Sequence, residues 1–229
     1  MRALCNAALA AISILSATVV HAGVRITLPA VTVGRNLEAA ANLELTEPAT
    51  GPLLVTITSS DPLRMLLSTT PDKSGVKSIQ VTIHVHSRFS SEFFVHGLGS
   101  SGTVTYTASA AGMESVAGTV TLAPSAIVFA GGSGIPLSSL LTTRGTRAGI
   151  GLYSALLDAS RNFVAIQPVA GGRSVEVDIA SSDQAVGHAS PRKVKIGGGN
   201  ANATIEFQPG TPGMTTLSAS ASEGFTFAA

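Results

Sequence analysis

The stretch VTITSSDPLRMLLS (residues 55–68) has a counterpart in VEVDIASSDQAVGHAS (residues 175–190). In both stretches, an alternating apolar run leads into the letters SSD. Further along the chain, GTVTYTASA (residues 102–110) matches GMTTLSASA (residues 213–221). The two matches are separated by 122 and 111 residues. A repeat of this length predicts two tandem domains of about 100 residues each.

Alternation of apolar and polar residues continues through the first of these units. A period of two predicts strands that turn one face toward a core. No segment has sustained helical spacing, and Pro and Gly separate the runs at short intervals. The sequence therefore predicts an all-β fold of antiparallel sandwiches. The predicted inward positions are Leu37, Ala39, Ala41, Leu43 and Leu45; Ile79, Val81, Ile83 and Val85; and Val104, Tyr106 and Ala108.

Residues 1–22 have the pattern of a secretory signal peptide. A basic start at Met1-Arg2 precedes an apolar run from Ala7 to Val20, and the sequence Val20-His21-Ala22 suits cleavage after Ala22. The apolar run is shorter than the roughly 20 residues that a membrane-spanning helix needs. We therefore expect a cleaved leader, no stable membrane span, and an extracellular, cell-surface or periplasmic location.

Charge and cysteine content narrow the classes of partner. The whole chain has 14 basic and 13 acidic residues, and removal of Arg2 with the leader leaves 13 of each. Without a basic block, the chain is not expected to bind nucleic acid. Cys5, the single cysteine, lies in the leader. The exported domains must then be held together by core packing without disulfides.

The predicted domain boundary lies in TLAPSAIVFAGGSGIP (residues 121–136). The predicted segments are the signal peptide at 1–22, one sandwich at 23–123 and a second at 124–229. Ala123-Pro124-Ser125 is expected to form the link. The Gly-rich stretch 131–149 is expected to be a long irregular opening to the second domain.

The hexapeptide GLGSSG (residues 97–102) resembles a dinucleotide-binding loop, which requires a helix after it to receive the phosphates. Here the next residues, TVTYTASA, alternate as a strand does. The corresponding QPGTPG (residues 208–213) combines Gly and Pro as turns do. We therefore predict a connection between strands and no nucleotide.

Two groups of residues are candidates for metal binding. His84 and His86 are two residues apart on a predicted strand, and His96 lies on a predicted neighbour, so the three side chains could converge on a metal ion. Asp158 and Asn162 resemble the start of a calcium loop, but the sixth position is Phe163 and the twelfth has no acid. An Asx-type turn explains that pair better. Because exposed histidines on a polar face explain the trio equally simply, no cofactor is expected.

Catalytic motifs are lacking, and the best candidate contact surface is aromatic. The chain contains no G-x-S-x-G or H-E-x-x-H sequence, and no cysteine outside the leader. We therefore expect no enzyme activity. If Phe93 faces the core, Phe94 faces outward, and together with Phe89 it would form an exposed apolar patch that could contact a partner.

The stretches VTITSSDP, SSEFFVHGLGSSGTVTYTASAAG and LLDASRNFVAIQPVAGGRSVEVDIASSD together resemble bacterial immunoglobulin-like domain repeats of secreted or cell-surface proteins. The resemblance spans about residues 24–229. It departs from antibody-type domains because Ala108, where those domains have a cysteine, follows Tyr106 by two residues. The resemblance implies rigid modules that space or present other modules, some of them adhesive. It also implies a tyrosine-corner role for Tyr106.

These observations lead to one expected function and two alternatives. The expected function is a non-catalytic exported tandem module, acting as a structural spacer or an adhesive or presentation domain at the bacterial surface, with a protein or surface polysaccharide as partner. One alternative is a carbohydrate-binding accessory module, although a chain with no Trp and only two Tyr offers few aromatic platforms. The other is a metal-binding domain that uses the three histidines.

Overall fold

The computed structural model describes residues 23–131, 136–221 and 224–227, so the predicted leader at 1–22 lies outside the described residues. Within these ranges the chain forms strands and no helix, which confirms the all-β prediction. The first half (residues 23–123) contains β1 (Ile26–Thr27), β2 (Val31–Gly34), β3 (Glu38–Ala41), β4 (Glu44–Leu45), β5 (Leu53–Ser59), β6 (Met65–Ser68), β7 (Ser78–Ile83), β8 (Phe93–Gly97), β9 (Thr103–Ala110) and β10 (Val116–Ala123).

The second half (residues 124–227) contains the remaining strands. They are β11 (Ser125–Ala130), β12 (Ala148–Leu157), β13 (Phe163–Ile166), β14 (Ser174–Ser181), β15 (Gly187–Ser190), β16 (Lys193–Gly197), β17 (Asn202–Pro209), β18 (Leu217–Ala221) and β19 (Thr226–Phe227). Only Pro124 separates β10 from β11, so the link is shorter than the three residues that the sequence predicted. The described part of the Gly-rich opening has no strand until Ala148.

Two sheets of the first half face each other across a buried core. One has the order β2-β10-β9-β5-β7, and the other has the order β3-β8-β6. The Phe93 ring on β8 packs against the Tyr106 ring on β9, with centroids 6.4 Å apart and planes at 58°. Tilted aromatic pairs at this separation are favourable beyond the area they bury. A short pair, β1-β4, completes this half.

The second half repeats the pairing of the inner strands of the first half but places its first and last strands in the other sheet. One sheet runs β15-β17-β12-β11-β19, with β13 also paired to β12, and the other runs β16-β14-β18. In both halves four successive strands, β5 to β8 and β14 to β17, alternate between the two sheets. Thus β5 and β7 share one sheet while β6 and β8 share another, and β14 to β17 alternate in the same way.

The two SSD stretches make equivalent contacts. Ser59 Oγ donates to the Met65 carbonyl at 2.9 Å, and Ser181 Oγ donates to the Gly187 carbonyl at 2.6 Å. The carboxylates that follow, at Asp61 and Asp183, each accept a bond from the backbone two residues on. These Asx turns end β5 and β14 in the same way.

Burial follows the predicted alternation in the central strands and departs from it at strand ends. Val104, Tyr106 and Ala108 are buried, as are Ile79, Val81 and Ile83. Val85 is exposed, so its predicted inward position was wrong, because β7 ends at Ile83. Ala39 is only partly buried, whereas Leu37, Ala41, Leu43 and Leu45 are buried. Buried apolar residues of both halves form one connected cluster.

Candidate functional site

The three histidines do not form the predicted trio. His84 and His86 follow the end of β7 and are exposed, and His86 has a left-handed backbone with φ of 64°. They therefore do not share one face of a strand, as the sequence suggested. His96 lies within β8 and is buried, so its predicted outward position was also wrong. Among the described residues, no group of three His, Cys, Asp or Glu side chains is placed to hold a metal ion.

His96 is instead packed against a buried carboxylate. Glu38 on β3 is its cross-strand partner, and both side chains are at most 2% exposed. His96 Nε2 lies 3.2 Å from Glu38 Oε2, outside hydrogen-bond geometry, so the two side chains are in contact without a hydrogen bond. Gly75 lies directly against the imidazole, where a Cβ would come 2.8 Å from Nδ1.

Glu38 reaches from the first half to the second. Its Oε2 accepts a 2.9 Å hydrogen bond from the Gly171 N–H, and its own N–H donates to the Pro168 carbonyl. Ala170 N–H donates to the Asn36 carbonyl, and Leu37 forms an isolated bridge with Val169. We call this contact, between residues 32–38 and residues 167–172, the joint.

Gln167 contributes both ends of its amide to the joint. Its Oε1 accepts a 3.0 Å bond from the Gly34 N–H, and its Nε2 donates a 2.9 Å bond to the Thr32 carbonyl. Ser125, which opens β11, donates from Oγ to the Arg35 carbonyl at 2.6 Å. A glutamine amide is suited to this place because it carries a donor and an acceptor together.

The approach of the two backbones in the joint requires glycine. A Cβ added at Gly171 would collide with the carbonyl oxygens of Pro71 and Lys73 in the first half. Gly172 adds a positive φ of 72°, and its N–H donates to the Asp72 carbonyl at 3.1 Å. The loop after Ser68 therefore closes over the 171–172 turn.

The two aromatic residues of the predicted contact surface are placed differently from each other. Phe89 is 54% exposed and borders a depression of about 590 Å³ that is also lined by residues 27–32 and 39–42. Phe94 is half-buried, pairs with Ala40 on β3, and does not line that depression. Phe89 is thus the more accessible of the pair.

The glycine hexapeptide connects two strands, as predicted. It begins at the end of β8 and leads into β9. Arg64 closes the loop, since its guanidinium donates to the carbonyls of Ser101 and Thr103 at 2.5 and 3.4 Å. The only left-handed glycine in the loop is Gly102, with φ of 79°. No helix N-terminus follows to receive a phosphate.

Asp158 and Asn162 form the predicted turn. The Asp158 carboxylate accepts a bond from the Asn162 backbone N–H at 2.8 Å and from its side-chain amide at 2.9 Å. The Asn162 side-chain and backbone bonds lower the pKa of this exposed carboxyl. Its oxygens are therefore engaged in closing the turn between β12 and β13.

Comparison with known proteins identifies no family. No protein-family model matches the chain, and no curated protein matches it. Among solved structures, the chain is similar to the secreted serine protease VesC from Vibrio cholerae, with a TM-score of 0.28 and 11% sequence identity. The match covers 89% of this chain and 52% of that chain, so this chain spans about half the length of VesC. A similarity at this level carries no argument about activity.

The sequence pattern did not predict the residues of the joint. Glu38 stands on the face of its strand that alternation predicted to be polar and exposed, and Gln167 follows a strand with no distinguishing motif. The nearest signal was the pair Gly171-Gly172, since adjacent glycines mark a close approach of backbones.

Among the described residues, no helix is long and apolar enough to cross a membrane.

Proposed function

We propose that the chain is a non-catalytic module of an exported protein, built as two tandem immunoglobulin-like sandwiches at residues 23–123 and 124–229. Its function is to hold surfaces at a fixed spacing and orientation, as a spacer or presentation element. The observation that carries the proposal is the joint. Domains connected by a flexible linker reorient freely, whereas here Gln167 and Glu38 bond the halves together beside a one-residue link.

The division into two domains is supported by the shared pairing of the inner strands, in which β9-β5-β7 corresponds to β18-β14-β16. The Ser-Ser-Asp turn follows β5 in the first half and the corresponding β14 in the second, and the serines make equivalent contacts. Each half also pairs an early strand in parallel with its last described strand, β2 with β10 and β11 with β19. A parallel pairing of this kind between an early and a late strand suits modules that join end to end.

A mechanical role is supported by the use of buried polar groups. Burying a polar side chain is costly unless it is hydrogen-bonded. Glu38 and Ser125 are buried and Gln167 is half-buried, and all three make their bonds across or beside the joint. These groups therefore fix the angle between the halves, which is the property that a spacer requires.

Distance measurements between the far ends of the halves test the rigid joint. Residues 23–229 contain no cysteine, so Glu47→Cys and Thr211→Cys would carry the only two spin labels, both at exposed positions. We expect one narrow distance distribution. Combining Gln167→Ala with Ser125→Ala should broaden it, whereas Gln184→Ala, which removes only an exposed bond with Arg192, should not. A broad distribution in the unmodified protein would contradict a rigid spacer.

Export is tested separately by fractionation. Cells that produce residues 1–229 should release the protein to the periplasm or medium with residues 1–22 removed. Cells that produce residues 23–229 should retain it in the cytoplasm. Cytoplasmic retention of both forms would contradict export without affecting the distance measurements.

A further inference from the structure

Comparison of the two halves reveals a strand position that is filled in the first and open in the second. In the first half β9 lies between β5 and β10. In the second half β18 takes the place of β9, since Ala219 pairs with Ile179 as Ala108 pairs with Ile57. On the side of β18 away from β14, no described strand pairs with it. We call this side the free edge.

The backbone of β18 presents hydrogen-bonding groups along the free edge. Ser182 N–H donates to the Thr216 carbonyl, as Ser60 N–H donates to the Thr105 carbonyl in the first half. Since an antiparallel strand turns alternate peptide groups to opposite sides, the N–H and C=O groups of 217, 219 and 221 point to the free edge. In the first half the corresponding groups face β10. Unpaired groups of this kind are a template for another strand.

An apolar groove of about 620 Å³ lies beside the free edge. Its walls come from both sheets of the second half and include Phe129, Ile150, Phe207 and Leu217. Tyr106 and Ala108 lie on β9, which is paired with β10, and they are fully buried. The equivalent Leu217 and Ala219 on β18 are only partly buried. Leu141 and Met214, which also line the groove, are 96% and 93% exposed. The groove thus lacks the strand that covers its counterpart.

We propose that the free edge and groove bind an extended segment of a partner polypeptide, which adds as a strand antiparallel to β18. Strand addition of this type takes its affinity from main-chain bonds and its specificity from side chains in pockets. This site is independent of the rigid joint.

The first half indicates the chemistry of the segment. On β10, Val116, Gly118 and Val120 stand opposite Ala108, Tyr106 and Val104, so alternate residues of the segment are apolar with a small residue in the middle. A second copy fits less well, because its own β18 is already part of a folded sheet. The groove between the sheets requires a strand that is free to insert its side chains.

The peptide SVAGTVTLAP, residues 115–124 of this chain, is a suitable probe because it contains the strand that fills the equivalent position. Fluorescence anisotropy of the labelled peptide against residues 23–229 should show saturable binding. A matched peptide with Val116→Lys and Val120→Lys should bind at least about tenfold more weakly, because it cannot bury two apolar side chains.

Two variants locate the peptide on the free edge. Ala219→Pro removes the N–H that faces the edge without removing a bond to β14, as proline on an edge strand can. Leu217→Lys places a charge in the groove. Each should weaken binding at least about tenfold, whereas Leu63→Lys, at a site 87% exposed in the first half, should not. Circular dichroism and thermal unfolding establish that each variant is folded.

Amide hydrogen exchange of the unmodified protein locates the bound peptide without the use of variants. The peptide should protect the amides of Leu217, Ala219 and Ala221. Absence of saturable binding, equal binding by all variants, or protection confined to the first half would overturn the proposal. Concentration-dependent dimerisation that Ala219→Pro abolishes, without peptide binding, would also overturn it and assign the edge to a second copy.

Discussion

Glu38 and Gly171, 133 residues apart in the sequence, meet in the joint, where Glu38 Oε2 accepts a 2.9 Å hydrogen bond from the Gly171 N–H. The same carboxylate lies 3.2 Å from His96 Nε2, and both ionisable side chains are at most 2% exposed. A single acidic residue therefore bonds the second half to the first and faces the histidine on the neighbouring strand. Its removal should affect both relationships.

Glu38→Ala should lower the free energy of unfolding by about 3 kcal/mol, because it leaves a buried N–H without an acceptor and a cavity beside the buried His96 imidazole. Urea unfolding at neutral pH measures the change. Glu44→Ala is the matched control, since Glu44 pairs with Arg88 at the surface and exposed ion pairs contribute less than about 1 kcal/mol. Equal losses in the two variants would show that burial of Glu38 is energetically unimportant.

Gln167→Glu should lower the free energy of unfolding by about 1 kcal/mol at neutral pH. The substituted carboxylate can still accept from the Gly34 N–H, but it cannot donate to the Thr32 carbonyl. Relative to the unmodified protein, the loss should shrink at acid pH, where the protonated acid regains an O–H donor. Thermal unfolding across this pH range provides the test, and a loss independent of pH would contradict the assigned donor role.

Tyr106 should make the protein sensitive to alkali. Burial raises the pKa of its phenol to about 12, and its hydroxyl donates to the Pro29 carbonyl at 2.5 Å. In the unfolded chain the phenol ionises near its ordinary pKa of 10.0, so between about pH 10 and 12 the folded state binds more protons than the unfolded state. Stability should therefore be complete below pH 10 and fall by about 2–3 kcal/mol as the pH rises to 12.

Tyr106→Phe separates this effect from general alkaline unfolding. The variant should lose about 1 kcal/mol at neutral pH, because the Pro29 carbonyl loses its donor, and should lack the additional loss above pH 10. Tyr153→Phe, which changes the other tyrosine of the chain, serves as the control. The measurement is chemical unfolding at several pH values, with tyrosinate absorbance as a second readout. Identical alkaline profiles for Tyr106→Phe and the unmodified protein would refute the assignment.

Gly118 on β10 should not tolerate a side chain. An added Cβ would lie 2.7 Å from the Tyr106 ring and 2.9 Å from the Leu28 Cβ. Gly118→Ala should therefore cost about 1–3 kcal/mol through overpacking. Gly149→Ala is a matched strand substitution with no atom within 4 Å of the new Cβ, so it should be neutral or slightly stabilising. Comparable melting temperatures for the two variants would contradict the packing of β10 on Tyr106.

The alternation of residues determined most of the strands. Successive side chains on a strand point to opposite faces, so Val104, Tyr106 and Ala108 had to share one side whatever the rest of the chain did. The repeated SSD letters likewise predicted equivalent turns, because an Asp side chain closes such a turn with its own neighbouring backbone. These are local properties, and the structure agrees with them.

Alternation misled where a strand ended or a polar face met another part of the chain. Val85 was expected inside, but β7 stops at Ile83, and for the same reason His84 and His86 do not share a strand face. Glu38 and His96 occupied positions that looked exposed. Burial of a polar residue depends on which surface packs over it, and that information is absent from the residue's neighbours in the sequence.

The order of residues was enough to predict an all-β chain, the inward residues of its central strands, and two stretches with the same local turns. The folded arrangement of the strands was needed to show that Glu38, Gln167 and Ser125 bond at the joint, and that β18 has a free edge while β9 does not. Side-chain direction within a strand follows from backbone geometry over a few residues. Contacts between strands join residues more than a hundred positions apart, so they exist only when the whole chain is folded.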